Sequence, residues 1–303
     1  IYNTEKYLTQ CLKSIIQNLK FKIEIILVND CSKDNSLNKL KSFLRKKKKF
    51  HKIKIINHKK NLGLGFSRNS GIKVATGYYI AFLDSDDLLL KEFSKTTCEL
   101  IQKKNYDIIE YGFLRFNKIM NKKKYNHLYN FVGNQIYKKI KTDFYSKTVW
   151  YASIRIYKKK LWKNIKFPKL YYEDVDTIYK LYDRSKKIYF IDIPLLGYRY
   201  NPESITSKLS KKNYDDLIKV FNNINLKSND ISKKIMKIRI ARSICYFKNY
   251  LKINDGNYQK IIKTVKKFKL PFLICIKLKI PDFLYFKFNS FYEFLDKLRF
   301  LYK

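Results

Sequence analysis

The residues best suited to chemistry in this sequence are carboxylates at the boundaries of predicted elements. Asp30, Asp84 and Asp86 follow predicted apolar strands, and Glu173 and Asp174 stand where a helix is predicted to begin. In open α/β sheets, ligands bind beyond the carboxyl ends of the strands. Carboxylates there are hard oxygen ligands, suited to Mg²⁺ or Mn²⁺ that is shared with the phosphates of a ligand. The pattern therefore predicts a site for a divalent cation and phosphates.

The elements that must position these carboxylates alternate between strand and helix in the first third of the chain. Apolar residues at helical spacing predict a helix over residues 7–19, and continuous apolar runs predict strands over 23–28 and 78–83. A glycine-containing loop at 61–65 leads into another predicted helix, and a further helix is predicted over 171–185. Such alternation implies a mostly parallel sheet with helices on both faces, so we predict an α/β fold.

The charge balance is strongly positive, with 66 Lys and Arg against 25 Asp and Glu and a formal net charge of +41. Such a field favours acidic partners, namely nucleic acid, anionic lipid headgroups or phosphorylated small molecules. A genome that favours lysine codons explains the excess equally well. No nucleic-acid partner is expected, because the lysines are spread along the chain and no nucleic-acid-binding signature occurs. The 46% of hydrophobic residues excludes wholesale disorder.

Cysteine and histidine positions predict ordinary structural surroundings. The five cysteines are scattered, odd in number and without a Cys-x-x-Cys pair, which favours reduced thiols in a cytoplasmic protein. His51, His58 and His127 stand in lysine-rich or polar stretches, so we expect them at the surface. No apolar stretch approaches the roughly 20 residues of a spanning helix. A membrane role would therefore be peripheral, on the inner face of the plasma membrane.

The region after residue 206 is predicted to be helical and is strongly basic, with 23 basic and 7 acidic residues. Within it, apolar residues recur at helical spacing among lysines, namely Tyr258, Ile261, Ile262, Val265 and Phe268. This pattern suits an interfacial helix on anionic lipid. It equally suits a helix that packs on the protein with its lysines in water. Both interpretations stay open at this point.

Five segments, in order and at the expected spacing, resemble the motifs of family 2 glycosyltransferases. They are Tyr2-Asn3-Thr4-Glu5, Val28-Asn29-Asp30-Cys31-Ser32-Lys33-Asp34, Asn61-Leu62-Gly63 with Ser67-Arg68-Asn69, Phe82-Leu83-Asp84-Ser85-Asp86-Asp87, and Glu173-Asp174. The resemblance covers roughly residues 1–205. An Asp-x-Asp motif alone occurs by chance in many proteins, but five motifs in order form a strong signal.

The resemblance implies a GT-A fold, with a Rossmann-like, mostly parallel sheet, helices on both faces, and a basic helical C-terminal region. It implies an inverting, metal-dependent hexosyl- or N-acetylhexosaminyltransferase with Mn²⁺ or Mg²⁺ as cofactor. The donor would be a nucleotide sugar, with UDP expected, and the acceptor a hydroxyl of a glycan or lipid-linked molecule in surface polysaccharide, capsule or lipooligosaccharide assembly. Residues 1–115 would bind the donor, 116–205 would supply the acceptor site and catalytic base, and 206–303 would form the extension.

The resemblance also assigns the donor-binding residues. Tyr2 would stack on the nucleobase beside Asn3, and Asp30 would accept a hydrogen bond from the imide N–H of the base. Arg68 would lie near the base or the diphosphate. The remaining donor-binding candidates are a loop beside the donor and a segment that can close over the diphosphate. They are Asn61 and Gly63 in the loop, and Arg199 and Ser204 in the segment.

The acidic motifs would supply metal binding and catalysis. Asp86 would be the metal ligand, and Asp84, with Ser85 next to it, would lie at the ribose or at a metal-bound water. Three carboxylates within four residues repel one another, and a cation offsets that repulsion. Asp174 would be the base that takes the proton of the acceptor hydroxyl, and Glu173 would orient it or contact the acceptor.

The family begins with an apolar strand that ends in a Pro-x-Tyr-Asn turn, whereas this sequence begins at Ile1-Tyr2-Asn3. We therefore expect the first strand of the sheet to be missing, and part of the nucleotide pocket with it. A non-catalytic, degenerate relative is accordingly the main alternative. A basic nucleic-acid-binding protein is the less favoured one.

Overall fold

The computed structural model describes residues 1–20, 23–46, 52–117, 123–125, 132–202, 204, 207–226 and 230–268. The helices in these ranges are α1 (Leu8–Asn18), α2 (Ser36–Lys46), α3 (Leu64–Val74), α4 (Phe93–Lys103), α5 (Tyr137–Lys147), α6 (Glu173–Arg184), α7 (Lys211–Asn223), α8 (Ile231–Tyr250) and α9 (Gly256–Lys266). The strands are β1 (Glu24–Asn29), β2 (Lys52–Asn57), β3 (Tyr79–Ala81), β4 (Leu88–Leu89), β5 (Ile108–Phe116), β6 (Lys123–Tyr125), β7 (Gly133–Ile136), β8 (Arg155–Lys158) and β9 (Lys187–Arg199).

The chain divides into two compact units. The first contains Ile1–Lys139 and Val149–Ser207, and the second contains Ile140–Thr148 and Lys208–Lys303. All the site residues named from the sequence fall in the first unit. The regular elements among the described residues of the second unit are all helices.

The strands of the first unit form two sheets. β1 and β2 pair in parallel, and the larger sheet has the order β3-β8-β5-β9-β4, with β6 on β5 and β7 on β9. β5 and β9 are parallel, whereas the other pairs of the larger sheet are antiparallel. The α/β class is confirmed, with a mixed sheet. Antiparallel pairs need no helical crossover. The strands after β3 are therefore joined without the regular alternation of strand and helix that is seen in the first third of the chain.

Apolar side chains at the predicted spacings form the core. Leu8 and Leu12 of α1 pack with Leu27 of β1 and with Leu40 and Phe43 of α2. A second cluster fills the space around β5, β8 and β9. Its buried members are Leu89, Phe93, Ile109, Tyr111, Phe113, Ile154, Ile156, Ile191, Leu195 and Leu196. The first cluster fixes β1 against α1 and α2, and the second fixes β5, β8 and β9 against one another.

A buried arginine joins β5, β8 and α6. The Nε of Arg155 donates to Glu110 Oε2 at 2.9 Å and to the Tyr182 hydroxyl at 2.7 Å. Its terminal nitrogens donate to the carbonyls of Tyr151 at 2.6 Å and Val149 at 2.7 Å. The Tyr182 hydroxyl donates to the same Glu110 oxygen. Each guanidinium nitrogen of Arg155 therefore has an acceptor inside the protein.

The apolar residues of α9 face the interior of the second unit. Ile261, Ile262 and Val265 are buried, and the Tyr258 hydroxyl contacts Cys245 Sγ of α8 at 3.2 Å. The lysines of the same helix are exposed. The structure therefore favours the packed helix over a helix that inserts this apolar stripe into lipid. Among the described residues, no helix has the length and apolar character required to cross a membrane.

The cysteines and one histidine can be compared with their predicted surroundings. Cys11, Cys31, Cys98 and Cys245 are free thiols, as predicted, while Cys275 lies outside the described residues. His51 and His127 also lie outside them. The prediction for His58 is wrong, because its side chain is only 9% exposed and binds two side chains.

Candidate active site

The start of α3 packs closely against the segment that leads into α6. A Cβ on Gly65 would lie 2.8 Å from the Pro168 carbonyl oxygen and 3.0 Å from Glu173 Cγ, so glycine permits this approach. The Asn69 amide donates to the Phe167 carbonyl at 2.8 Å and accepts from the Phe167 N–H at 2.9 Å. These contacts bring residues about a hundred positions apart in sequence to one place.

Arg68 of α3 occupies the centre of this junction. Its Nη1 donates to Glu173 Oε1 at 2.6 Å, and its Nη2 donates to both carboxylate oxygens of Asp84, at 3.0 and 3.2 Å. The guanidinium carbon lies 5.8 and 5.4 Å from the ring centres of Phe82 and Phe167. Burial alone would lower the pKa of Arg68, but the charges of Asp84 and Glu173 raise it. Arg68 therefore links the acidic turn after β3, which consists of residues 84–87, to the first turn of α6.

Asp174 follows Glu173 on the first turn of α6 and has a different environment. Its Oδ1 accepts from the Val175 N–H at 2.8 Å, the one hydrogen bond that the described residues give this carboxylate. Burial raises the pKa of Asp174, against the opposing charge of Arg68, and Asp84 adds to the rise. Burial also raises the pKa of Glu173. Of the two neighbours, Glu173 is bound by the guanidinium and Asp174 is not.

The acidic turn after β3 concentrates negative charge. The Asp87 N–H donates to the Asp84 carbonyl at 3.0 Å, which closes the turn. Asp86 Oδ2 accepts from the Asn201 amide at 3.2 Å. Burial raises the pKa of Asp86 and of Asp87, and the neighbouring carboxylates add to both rises. The Oδ2 of Asp87 is buried and has no partner among the described residues.

Arg199 at the end of β9 supports this turn from inside the protein. Its N–H donates to Asp87 Oδ1 at 2.9 Å and its Nε to the Asp86 carbonyl at 2.7 Å. Its Nη2 donates to Gln10 Oε1 at 2.7 Å, and its guanidinium carbon lies 4.5 Å from the Phe116 ring centre. This buried guanidinium holds the acidic turn instead of extending toward solvent. Ser204 Oγ lies 2.8 Å from Ser207 Oγ.

The segment that carries Tyr2 lies beside the ends of β1 and β3. The Ile1 carbonyl accepts from the Asp30 N–H at 2.9 Å, and Asn3 Oδ1 accepts from the Lys33 N–H at 2.8 Å. Thr4 Oγ1 donates to Ser85 Oγ at 3.0 Å. The Tyr2 side chain is exposed. The structure therefore brings Tyr2, Asn3, Asp30 and Ser85 into one neighbourhood, with the Tyr2 ring accessible from solvent.

Asp30 points into the protein and holds the loop before α3. Its Oδ1 accepts from the Leu62 N–H at 2.9 Å and its Oδ2 from the Gly63 N–H at 2.8 Å. His58 Nδ1 contacts Asp30 Oδ1 at 2.7 Å, and His58 Nε2 contacts Ser70 Oγ at 2.9 Å. The sequence predicted only a surface position for His58. It follows β2 as Asp30 follows β1, so the strand-end argument applied to histidine would have identified it.

The carboxylates of Asp84 and Asp86 are the candidate ligands of the predicted divalent cation. Within the described part of the chain, no group of three or more His, Cys, Asp or Glu side chains is arranged to hold a metal ion. Mg²⁺ and Mn²⁺ are commonly bound by one or two carboxylates together with substrate phosphates and water. The mutual repulsion of Asp84 and Asp86 is a charge pattern that a cation would relieve. The donor set therefore fits a cation shared with a ligand.

Solved structures with this fold include glycosyltransferases. Staphylococcus aureus TarS 1-349 in complex with UDP-GlcNAc superposes with a TM-score of 0.68 at 20% identity, covering 87% of this chain and 78% of that one. The mannosyltransferase PcManGT from Pyrobaculum calidifontis, in complex with GDP-Man and Mn²⁺, gives a TM-score of 0.58 at 10% identity, covering 96% and 86%. These similarities confirm the GT-A fold.

Curated relatives carry the class name glycosyltransferase. The glycosyltransferase GlyG of Streptococcus pneumoniae is 28% identical over 219 residues, which cover 68% of this chain and 70% of GlyG. EpsJ of Bacillus subtilis, an uncharacterized glycosyltransferase, is 27% identical over 226 residues, covering 68% of this chain. The pneumococcal glycosyltransferase GlyA is 30% identical over 224 residues, covering 70% of this chain. The matched part spans 61% of EpsJ and 31% of GlyA, less than two thirds of either.

The family model described as Glycosyl transferase family 2 matches residues 1–165, more than half of the chain. The sequence resemblance and the glycosyltransferase class predicted from it are confirmed, and the chain belongs to glycosyl transferase family 2.

Proposed function

We propose that this chain transfers a sugar from a UDP-linked donor to a hydroxyl of a glycan or lipid-linked acceptor, with inversion at the anomeric carbon. The observation that carries the proposal is the distribution of contacts around Arg68. This guanidinium binds Glu173 and Asp84, and the next residue, Asp174, keeps a carboxylate with a single backbone donor among the described residues. The complex of S. aureus TarS 1-349 with UDP-GlcNAc supports the choice of UDP.

Asp174 is the proposed catalytic base. The acceptor oxygen attacks the anomeric carbon, Asp174 takes the hydroxyl proton, and the bond from that carbon to the diphosphate breaks. The raised pKa of Asp174 suits a base, because it increases the affinity of the carboxylate for a proton. Glu173, bound by Arg68, is the proposed positioning residue for the first turn of α6.

The proposed donor site lies where the ends of β1, β2 and β3 meet. The exposed ring of Tyr2 stacks on the nucleobase, and Asp30 reads the imide N–H. Asn61 and Gly63 line the donor beside them, while Asn3 fixes the backbone at Lys33. The remaining donor-site candidates form a second group with indirect roles. These are Arg68, Ser85 and Arg199, which hold the acidic turn, and Ser204 in the segment after β9.

Asp86 and Asp84 are the residues proposed to hold Mn²⁺ or Mg²⁺. When bound, the cation would neutralise the negative charge that develops on the departing diphosphate. The complex of PcManGT with GDP-Man and Mn²⁺ supports a divalent cation in this fold. Arg199 and Asn201 would keep Asp86 in position, through its carbonyl and its carboxylate respectively.

The proposed setting is the assembly of bacterial surface polysaccharide, capsule or lipooligosaccharide on the cytoplasmic side of the membrane. Residues 1–115 would bind the donor, residues 116–205 would supply the acceptor site and the base, and residues 206–303 would form the basic extension. The apolar stripe of α9 is buried, so this helix would not insert into the membrane. Its exposed lysines would instead attract anionic lipid headgroups at the membrane surface.

The proposal is tested by a screen of nucleotide sugars. Release of the nucleoside diphosphate would be measured for UDP-, GDP- and dTDP-linked sugars with Mn²⁺, and again after EDTA. We expect turnover with at least one UDP-sugar and its loss with EDTA. Turnover restricted to another nucleotide would overturn the donor assignment, and EDTA-resistant turnover would overturn the metal assignment. Donor binding without any turnover, given a range of acceptors, would favour a non-catalytic relative.

A further inference from the structure

His58 joins three elements at the proposed donor site. It directly follows β2, and its backbone N–H donates to the Asn29 carbonyl at 2.9 Å, which continues the parallel pairing of β1 with β2. Its ring lies between Asp30 after β1, at 2.7 Å from Nδ1, and Ser70 on α3, at 2.9 Å from Nε2. The imidazole and the Asp30 carboxylate are both nearly inaccessible, with side chains 9% and 4% exposed.

We propose that His58 is a positioning residue for donor binding, which acts by fixing the Asp30 carboxylate and through it the loop that contains Leu62 and Gly63. The inference rests on the proposed function, because Asp30 and this loop are proposed donor-binding parts. Nothing in the family comparison assigns a role to this histidine.

The Asp30 carboxylate organises the loop through two backbone N–H groups. Oδ1 accepts from Leu62 and Oδ2 from Gly63, whose φ of +94° is a backbone conformation that favours glycine. An ionised carboxylate accepts about four hydrogen bonds in total. His58 adds a second bond to Oδ1, so the described residues give Oδ1 two donors and Oδ2 one. One acceptor position on Oδ2 is thus left for the N–H of a nucleobase.

The histidine is one of three donors that set the direction of that acceptor position. The Nδ1 contact and the two backbone donors together fix the plane of the carboxylate, and Ser70 fixes the plane of the imidazole. A serine hydroxyl both donates and accepts, so it can pair with Nε2 whether or not that nitrogen carries a proton. Without Nδ1, the two backbone donors alone would hold the carboxylate, and the loop would lose part of the support of its acceptor.

Substitution of His58 by asparagine or by glutamine distinguishes the contact of the ring with Asp30 from its contact with Ser70. The amide of His58→Asn reaches the place of Nδ1 and keeps the bond to Asp30, whereas that of His58→Gln reaches the place of Nε2 and keeps the bond to Ser70. His58→Phe fills the ring volume and removes both. Two readouts apply to each variant: hydrogen exchange of the Leu62 and Gly63 amides without ligand, and the affinity for UDP measured by calorimetry with Mn²⁺.

We expect His58→Gln and His58→Phe to exchange the two amides faster and to bind UDP roughly tenfold more weakly, the size of one hydrogen bond to a charged group. His58→Asn should stay within about threefold of the parent in both measurements. Donor KM should rise in the Gln variant while kcat at saturating donor changes little, because uniform binding is lost.

Equal losses in the Asn and Gln variants would overturn the proposal, since the ring would then act by packing alone. Unchanged amide exchange in the Gln variant would overturn it as well. If the parent binds no UDP, the proposed function fails instead, and amide exchange still decides whether His58 positions the loop. The Asn and Gln variants are both polar and similar in size, so their comparison stays informative even if His58→Phe does not fold.

Discussion

Two buried arginines of the first unit bind carboxylates, but with different balances of charge. Among the described contacts, Arg155 meets the carboxylate of Glu110, a hydroxyl and two carbonyls. Arg68 meets two carboxylates, and the carboxylate of Asp174 lies on the same helical turn as one of them. The first cluster is electrically balanced, whereas the second carries excess negative charge.

The two clusters also differ in how completely their polar atoms are paired. Arg155 and Glu110 have side chains 0% and 2% exposed, and every guanidinium nitrogen of Arg155 donates to the protein. At Arg68, the Nε has no acceptor among the described residues, and the Asp84 side chain is 27% exposed. Removing one partner from a closed, buried ion pair reduces stability, while unpaired charge beside solvent is typical of a ligand site. We expect substitutions in the two clusters to affect different properties.

The largest effect is expected from Asp174→Asn at the Arg68 cluster. The amide keeps the size of the carboxylate but does not accept a proton at neutral pH, so turnover should fall about a hundred- to ten-thousand-fold. UDP affinity should stay near that of the parent. Turnover and binding would be measured separately, with Asp183→Asn, an exposed position on the same helix, as the matched control.

Two results would contradict this prediction. A collapse of UDP affinity together with turnover would make Asp174 a donor-binding or structural residue. A loss of turnover below about tenfold, well under the range for a general base, would point to another proton acceptor, with Glu173 the first to test.

Arg155→Met should instead reduce stability. Removing one partner from a buried ion pair leaves Glu110 uncompensated, so the free energy of unfolding should fall by about 3–5 kcal/mol. The two tryptophans, Trp150 and Trp162, both lie in the first unit, and their fluorescence during urea unfolding reports on that unit. Exposed Arg45→Met is the control and should change stability by less than about 0.5 kcal/mol. If Arg155→Met stayed as stable as the parent, the contrast between the clusters would fail.

Asp86→Asn should remove the effect of Mn²⁺ on UDP binding and leave the fold intact. Neutralising one member of an acidic turn relieves repulsion, so no loss of stability is expected from the charge. Calorimetry of UDP with and without Mn²⁺ measures the effect, and Asp183→Asn again serves as the control. A Mn²⁺ dependence equal to that of the parent would exclude Asp86 as a metal ligand.

The smallest expected effect is a change in the pH dependence of stability. Burial, followed by the charge of Asp84, raises the pKa of Asp86 in the folded protein above its ordinary value near 4. The folded state therefore binds this proton more tightly, and the stabilisation present below pH 4 is lost as pH rises through the raised pKa. The melting temperature of Asp86→Asn relative to the parent should increase from pH 4 to pH 7 without metal. A constant difference would contradict the raised pKa.

Local patterns in the sequence were sufficient to predict the α/β class, the helices α1, α3 and α6, and the carboxylates at the strand ends. Helical periodicity and short apolar runs extend over a few residues, so they can be recognised without knowledge of the fold. The same local logic placed Asp30, Asp84 and Asp86 after strands. The same strand-end argument, applied to His58 after β2, would have corrected the expectation that this histidine lies at the surface.

The partners of these residues were decided by the tertiary structure alone. Arg68 and Glu173 stand 105 positions apart, and their contact depends on Gly65, which lets α3 approach the start of α6. Arg199, which the resemblance assigns to a segment that can close over the diphosphate, is buried against the acidic turn, because β9 ends beside that turn. The types of residues and their places at strand ends were determined by the sequence, whereas the pairing of charges depends on distances that only the packed chain defines.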